Sequence, residues 1–355
     1  MSSFFSSRHA SLSPYTPGEQ PKDRRFIKLN TNESPYPPHP AVVAAATEEA
    51  GKLQLYSDPT ASSLLSALAR RYGVGADQVI ATNGSDEVLA FAFLAWGDDD
   101  HPFVFPDITY GFYPVFAGLY HVPYREIPLR PDFTIDADAY CASQANIVIA
   151  NPNAPTGIAL PLSEIERIVA ANPSRIVIVD EAYVDFGAES AVSLVDKYPN
   201  LLVTGTFSKS RSLAGGRLGF GIACPALISD LKTLQYSTNP YNVNRMTMAA
   251  GVSALENDGY YMDNCKKIEK TREETAAALS ALGFDVLPSR ANFLFVRSDK
   301  ITGADYYTAL RARGILVRHF TSPRICDYNR ITIGTPEEMA ALVDATKDIL
   351  KEKLS

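Results

Sequence analysis

The chain has 355 residues, which is enough for one large domain or two ordinary ones. It carries 40 acidic and 33 basic residues, a formal net charge of −7, so we expect neither nucleic acid nor an anionic membrane as its main partner. Hydrophobic residues make up 46% of the chain, and no apolar run approaches the roughly 18 residues of a membrane helix, so we expect a soluble protein that acts on small molecules.

Residues 1–35 are rich in Ser, Pro and Tyr and show no hydrophobic period, so they are predicted to form an arm. The arm has basic residues but no apolar stretch typical of a secretory signal, which favours a cytoplasmic location. The four cysteines stand far apart without a CxxC pair, and the five histidines show no ligand spacing. We therefore expect reduced thiols and no metal site.

Residues 36–245 are predicted to form a large α/β domain, because short apolar runs alternate with helical patterns. This alternation is typical of a mostly parallel sheet that is covered by helices on both faces. A helix is expected over 62–72, and Ser163 with Glu166 has the form of a capping box at the start of another helix. The predicted strands cover 79–82, 103–105, 147–150, 176–179, 201–205 and 220–223.

The pattern changes after residue 245, and residues 246–355 are predicted to form a smaller α+β domain. It begins with a long amphipathic stretch and ends with a helix whose start is indicated by Thr335, Pro336 and Glu338. The predicted helices cover 260–282 and 303–313, and the predicted strands cover 292–297, 315–318 and 330–333.

Polar segments follow three of the predicted strands of the large domain: NPNAPTG (151–157), DEAYVDF (180–186) and FSKSRSLAGGRLGF (207–220). Ligands of open parallel sheets bind beyond the carboxyl ends of the strands, so these segments are candidates for one shared site. Each also has a plainer interpretation. The first segment alone favours a turn, Asp180 suits a helix cap, and Lys209 taken alone suits a solvated surface.

Together, these segments hold the parts that a pyridoxal phosphate site requires. The aldehyde of that cofactor needs an amine, its ring nitrogen needs a carboxylate, and its phosphate needs amides, hydroxyls and a guanidinium. Lys209 offers the amine, Asp180 the carboxylate, and Ser208 with Arg217 part of the phosphate site. The segment NGSDE (83–87) adds Gly84 and Ser85 at a predicted helix N-terminus, where free amides bind anions. Arg211 adds a positive charge whose direction the sequence does not specify.

Further motifs occur in order along nearly the whole chain: SPYTPGEQP (13–21), KLNTNESPYP (28–37), YSDP (56–59), TYGFY (109–113) and RITIGTPEEM (330–339). With the segments above, they resemble the histidinol-phosphate aminotransferase family of fold type I pyridoxal phosphate enzymes. The resemblance implies that Tyr183 and Asn153 bind the phenolic oxygen of the cofactor and that Tyr110 stacks on its ring. It also places Thr206 among the cofactor-binding residues.

Members of this family are homodimers, and the resemblance implies contacts across the dimer. Tyr56 would reach the cofactor phosphate of the neighbouring subunit, and Tyr15 on the arm would approach the neighbouring substrate. Asn32, Arg318 and Arg330 match residues that bind the substrate, the two arginines through its anionic group. Because the net charge of −7 repels anions, a phosphate ester or dicarboxylate requires such local positive charge.

The resemblance implies transfer of the amino group of L-histidinol phosphate to 2-oxoglutarate, with Lys209, Asp180 and Tyr183 as the catalytic residues. Three alternatives remain open at this point. An aromatic amino-acid aminotransferase shares the cofactor residues and differs in the substrate pocket. A threonine-phosphate decarboxylase resembles the family closely and also binds a phosphorylated substrate. A non-catalytic protein on the same scaffold is expected to lack the lysine or the aspartate, and this chain has both.

Overall fold

The computed structural model describes residues 2, 4–10 and 12–354. The strands are β1 (Ile27–Lys28), β2 (Val79–Thr82), β3 (Phe103–Pro106), β4 (Tyr124–Ile127), β5 (Asn146–Ala150), β6 (Val177–Asp180), β7 (Leu201–Thr206), β8 (Gly219–Ala223), β9 (Asp285–Val286), β10 (Phe293–Arg297), β11 (Ile315–Leu316), β12 (Arg318–His319) and β13 (Asn329–Thr332). The α-helices are α1 (Pro40–Ala50), α2 (Ser62–Tyr72), α3 (Ser85–Trp96), α4 (Tyr113–Tyr120), α5 (Ala137–Cys141), α6 (Leu162–Ala171), α7 (Pro225–Thr238), α8 (Arg245–Glu256), α9 (Asp258–Ala281), α10 (Gly303–Ala312) and α11 (Pro336–Leu354).

The large sheet has seven strands in the order β2-β8-β7-β6-β5-β3-β4. Strands β4, β3, β5, β6 and β7 are parallel, whereas β8 is antiparallel to both β7 and β2. This confirms the predicted α/β class with a mostly parallel sheet. Every residue of β2, β3, β5, β6, β7 and β8 is buried, because helices cover both faces. Each of these six strands lies within one residue of its predicted bounds.

One predicted helix start is wrong and another is confirmed. Helix α6 follows Pro161 directly, so Ser163 lies inside its first turn and the residue at the helix start makes no side-chain cap. At the last helix, the amide of Thr335 donates to Glu338 Oε2 at 2.9 Å, and the amide of Glu338 donates to Thr335 Oγ1 at 3.3 Å. This reciprocal pair is the capping geometry that starts α11.

The smaller sheet is antiparallel, in the order β12-β13-β10-β9, and it packs with α9, α10 and α11 around a second core. Strand β1, at the end of the arm, pairs in parallel with β11 and so joins this part of the fold. Helix α8 begins at the predicted domain boundary, yet it packs against α1 and α2, and its Ala250 and Ala254 belong to the core of the large sheet. Within the described residues, no helix is both long enough and apolar enough to cross a membrane.

Candidate active site

The carboxyl ends of three adjacent strands form one edge of the large sheet. The register pairs Ala150 of β5 with Asp180 of β6, and Asp180 with Thr204 of β7. A cavity of about 240 Å³ opens at this edge, and residues from all three strand ends and from the start of α3 line it. They include Ser85, Asp86, Tyr110, Asp180, Tyr183, Thr206, Ser208, Lys209 and Arg217. The structure therefore brings together most of the predicted cofactor-binding residues.

Lys209 is half-buried between this cavity and a second one. Its Nζ donates to the backbone oxygen of Thr31 at 3.2 Å and lies 5.8 Å from the centre of the Tyr183 ring. Among the described residues it forms no ion pair with a carboxylate. A lysine amine held by one carbonyl at a cavity wall is available to react with an aldehyde.

Asp180 is only 4% exposed and lines the floor of the cavity. Its carboxylate accepts from the Tyr113 hydroxyl at 2.9 Å and from Thr204 Oγ1 at 3.2 Å. Burial raises the pKa of this carboxyl to about 6, against the smaller opposing effect of these bonds. Within the described chain it has no cationic partner, although an unpaired buried charge is costly. A protonated ring nitrogen in the cavity would supply the missing positive charge.

The predicted phosphate site lies at the start of α3. Gly84 precedes the helix and Ser85 begins it, and Ser85 and Asp86 line the cavity, so the amides at this helix start are suited to bind an anion. Arg217 lies over Gly84, and a Cβ added to this glycine would lie 2.6 Å from Arg217 Nη2. A Cβ on Gly219 would lie 2.2 Å from the backbone nitrogen of Ser85. Glycine at both positions therefore permits the close approach that forms an anion site.

Two hydroxyls and one carboxylate complete the wall of this site. Thr206 Oγ1 donates to Ser208 Oγ at 2.9 Å and accepts from the Ser208 amide at 3.1 Å. Asp86 accepts from Arg217 Nη2 at 3.3 Å and from the Tyr110 hydroxyl at 2.8 Å. Asp86 thus orients both the guanidinium and the aromatic ring that face the cavity. The residues present fit a phosphorylated pyridine with an aldehyde.

Tyr183 and Asn153 were predicted to share one cofactor atom, but the structure places them differently. The Tyr183 hydroxyl lies at the cavity and accepts from Asn32 Nδ2 at 3.0 Å. Asn153 lines neither cavity: its Nδ2 donates to the backbone oxygen of Ile108 at 3.0 Å, and its Oδ1 accepts from Thr109 Oγ1 at 2.7 Å. In this structure Asn153 holds the loop after β5 and does not face the cofactor cavity.

A second cavity of about 390 Å³ adjoins the first and shares Lys209, Tyr110 and Tyr183 with it. Arg318 and Arg330 line its far side. Arg330 donates to the backbone oxygen of Asn30 at 3.0 Å, while its Nε is buried without a partner. Desolvation lowers the pKa of this guanidinium, and within the described residues neither arginine forms an ion pair. Two guanidiniums without carboxylate partners make this cavity suitable for an anion.

Three further residues that the sequence singled out do not line the first cavity. Tyr56 is 81% exposed, stacks on Tyr241 with ring centres 4.5 Å apart, and lines neither cavity of its own chain. Tyr15 lines the second cavity of its own chain, and the contacts of Tyr56 and Tyr15 with a neighbouring subunit stay predictions. Arg211 points away from both cavities and pairs with Asp185 and Asp258, each at 2.7 Å.

Sequence reasoning missed several residues that support the site. Thr31 provides the carbonyl that holds Lys209, and Glu33 lines the first cavity and accepts from Thr31 Oγ1 at 2.8 Å. Tyr113 and Thr204 hold Asp180. Thr204 could have been predicted from the sequence, because it lies two residues before Thr206 on the same strand and so points to the same face of the sheet.

Comparisons with known proteins point to one group of enzymes. Residues 24–345 match the family described as aminotransferase class I and II. Histidinol-phosphate aminotransferase 2 of Dechloromonas aromatica is 51% identical over 98% of this chain and 99% of its own. Histidinol-phosphate aminotransferase of a Marinomonas species is also 51% identical, over 98% of this chain and 100% of its own. The crystal structure of histidinol-phosphate aminotransferase from Sinorhizobium meliloti in complex with pyridoxal-5'-phosphate has a TM-score of 0.83 and 25% identity, covering 93% of this chain and 92% of that one.

Proposed function

The chain belongs to the histidinol-phosphate aminotransferase family of class I and II aminotransferases, and we propose that it transfers the amino group of L-histidinol phosphate to 2-oxoglutarate. The products are imidazole-acetol phosphate and glutamate, and the reaction belongs to histidine biosynthesis. The observation that carries this proposal is the position of Lys209 between two cavities. The first cavity contains a buried carboxylate, and the second is lined by two arginines that pair with no carboxylate among the described residues.

Pyridoxal 5'-phosphate is the cofactor, and its phosphate would be held by Gly84, Ser85, Ser208 and Arg217 with Thr206 beside them. When bound, it supplies an aldehyde that reacts with amines and a protonated ring that withdraws electrons. Asp180 is suited to keep that ring protonated, because its buried carboxylate lacks a cation among the described residues of its own chain. Tyr110 lines the same cavity with its hydroxyl fixed by Asp86.

Lys209 is proposed to move the proton of the substrate's Cα atom, with Nζ as the base. A general base of this kind must be neutral when it acts, and the carbonyl of Thr31 accepts a hydrogen bond without supplying a proton. The hydrogen bond to Thr31 also limits the positions that the long side chain adopts when its amine is free. Tyr183, held by Asn32, forms the wall opposite this amine.

Arg330 and Arg318 are proposed to bind the phosphate of one substrate and a carboxylate of the other. Their planar guanidiniums match both kinds of anion. An aromatic amino acid offers these two half-buried cations only its single α-carboxylate, whereas a phosphate ester is a dianion whose three free oxygens can accept from both guanidiniums. This comparison favours a phosphorylated substrate over an aromatic amino acid. Phosphothreonine is also phosphorylated, but its decarboxylation releases carbon dioxide, which transamination of histidinol phosphate does not.

The substrate proposal is tested by kcat/KM for histidinol phosphate, phenylalanine and phosphothreonine, with release of carbon dioxide assayed for the last. Histidinol phosphate is expected to give the highest value. Arg330→Gln is expected to lower kcat/KM for histidinol phosphate about 100-fold, because a charge-assisted contact to a dianion is lost, and to lower kcat/KM for phenylalanine less, because its carboxylate carries a single charge. The matched control is Arg297→Gln on β10, whose side chain pairs with Asp285 at 2.8 Å. Higher turnover of phenylalanine, or carbon dioxide from phosphothreonine, would overturn the proposal.

We also propose a homodimer and a cytoplasmic location. Leu53, Leu55, Tyr56 and Tyr241 are all exposed large side chains, and Arg245 fastens the segment that carries Tyr56 by donating to its backbone oxygen at 3.2 Å. Exposed apolar side chains grouped on a fixed segment are typical of an interface. The four cysteines stand far apart in the sequence without a CxxC pair, a pattern that suits a reducing compartment. Sedimentation equilibrium is expected to give twice the chain mass, and a monomer mass at micromolar concentration would contradict the dimer.

A further inference from the structure

The arm segment 15–19 lines the second cavity through Tyr15, Thr16 and Gly18 and contacts several other parts of the chain. The ring of Tyr15 stacks on Phe112 with centres 4.5 Å apart. The backbone oxygens of Thr16 and Pro17 accept from Arg318, at 3.2 and 3.3 Å. Gly18 follows, and a Cβ at this position would lie 2.8 Å from Thr31 Cγ2. Glycine at position 18 therefore permits the close approach of the arm to Thr31.

Glu19 is the charged residue of this segment, and two side chains of α10 hold its carboxylate. The Tyr307 hydroxyl donates to Oε1 at 2.5 Å, and Arg311 Nε donates to Oε2 at 3.2 Å. Asn30 Nδ2 donates to the Glu19 backbone oxygen at 2.8 Å. Because Glu19 lies only two residues after Pro17, its attachment to α10 limits the positions of the Thr16 and Pro17 carbonyls.

Arg318 depends on those carbonyls for its orientation. Two of its N–H groups donate to the arm, and within the described residues no carboxylate pairs with it, so the arm is its polar anchor. Its remaining donors are free for an anion in the second cavity, which it lines together with Arg330. If the two arm carbonyls move, the guanidinium gains rotational freedom, and binding of an anion must then restrict it again.

We propose that Glu19 is a positioning residue of the anion site: its carboxylate holds the arm on α10, and the arm orients Arg318 toward the substrate. The identity of the anion rests on the proposed function, whereas the contact from Glu19 through the arm to Arg318 does not. Arg24 also anchors the arm, by donating to the backbone oxygens of Arg311 and Ala312. Loss of the Glu19 carboxylate is therefore expected to loosen the segment before Arg24 without releasing the whole arm.

The test uses Glu19→Gln in the full-length enzyme, with Tyr307→Phe as a second variant and Glu48→Gln as the matched control. Glu48 lies on α1 and makes an ordinary surface pair with Lys52 at 3.0 Å. Two readouts need neither substrate nor cofactor: the rate of tryptic cleavage after the exposed Lys22, and the rate at which phenylglyoxal modifies Arg318, followed by peptide mass spectrometry. Both rates are expected to rise about fivefold in Glu19→Gln and less in Tyr307→Phe, and to stay unchanged in Glu48→Gln.

The kinetic test compares the change in KM with the change in kcat for each variant. Because Glu19 and Arg311 are both partly exposed, the expected effect is moderate: KM for histidinol phosphate rises about tenfold in Glu19→Gln while kcat changes less than about twofold. General destabilisation would instead lower the active fraction and so reduce kcat. Unchanged rates of cleavage and of Arg318 modification would overturn the proposal, as would a fall in kcat at constant KM. If histidinol phosphate is not a substrate at all, the proposed function fails, and the two chemical readouts still decide the role of Glu19.

Discussion

Lys209→Ala is expected to abolish turnover, with kcat lowered at least about 10⁴-fold, because the variant loses both the amine that holds the cofactor and the proposed base. Among the described residues that line the two cavities, Lys209 is the only lysine, so no neighbouring amine can replace it. The cofactor is expected to bind still, more weakly, through its phosphate and ring. Steady-state turnover and equilibrium dialysis with pyridoxal phosphate measure the two effects separately.

Lys197→Ala is the matched control for this prediction. Lys197 is 64% exposed and pairs with Glu166 at 2.6 Å on the surface, so its loss is expected to leave turnover unchanged. Both variants should melt at about the same temperature as the parent protein without cofactor, because neither side chain is part of the core. Borohydride reduction of the loaded parent enzyme should label the peptide that contains Lys209. Full activity of Lys209→Ala, or a label on another lysine, would refute the assigned role.

The strands of the large sheet were predictable because their signal is local. A strand buried on both faces is a short run of apolar residues, and β5, β6 and β7 have this form. Strand β4 was not predicted, since it lies at the sheet edge and three of its four residues, including Arg125 and Glu126, are exposed. An edge strand of this composition is defined by its pairing with β3 and not by its own pattern.

The centre of the site was predictable for a related reason. Asp180, Ser208 and Lys209 lie at or just beyond strand ends, so their place along the chain almost determines their place in the fold. Residues on irregular segments have no such constraint. The contact between Lys209 and Thr31 joins residues 178 positions apart, and the direction of Arg211 depends on Asp258 at the start of α9. These contacts depend on tertiary packing, which no local pattern of residues records.

The error at Ser163 and the difference at Asn153 have a common cause. Both residue types bond readily to nearby backbone, so several local arrangements compete. At α6 the helix begins two residues earlier than a Ser163 cap requires. In the loop after β5, Asn153 bonds to Ile108 and Thr109, which lie on the neighbouring segment after β3. A motif identifies such residues, and the surrounding backbone then decides which groups they contact.

Asp180→Asn is expected to lower kcat about 10³-fold, since an uncharged amide cannot keep the cofactor ring protonated and loss of a buried charge contact is worth several kcal/mol. Asparagine has the same shape, so the bond from Thr204 is expected to remain and the fold to stay intact. Single-turnover rates measure the effect. Asp86→Asn is a useful comparison, because Asp86 is half-buried at the same cavity and acts through Arg217 and Tyr110, without being the carboxylate proposed for the ring nitrogen. A loss in Asp86→Asn as large as that in Asp180→Asn would contradict the special role of Asp180.

The same substitution is expected to change how stability depends on pH in the enzyme without cofactor. Burial raises the pKa of Asp180 from 3.8 to about 6, so the folded state binds more protons than the unfolded state between these values. The stability contributed by the neutral carboxyl is fully present below the unfolded pKa and is lost as the pH rises through about 6. Between about pH 4.5 and pH 7 the parent protein should therefore lose about 2 kcal/mol of unfolding free energy relative to Asp180→Asn. Urea unfolding of both proteins measures this difference, and parallel pH profiles would show that Asp180 is not the buried, unpaired acid on which the cofactor site depends.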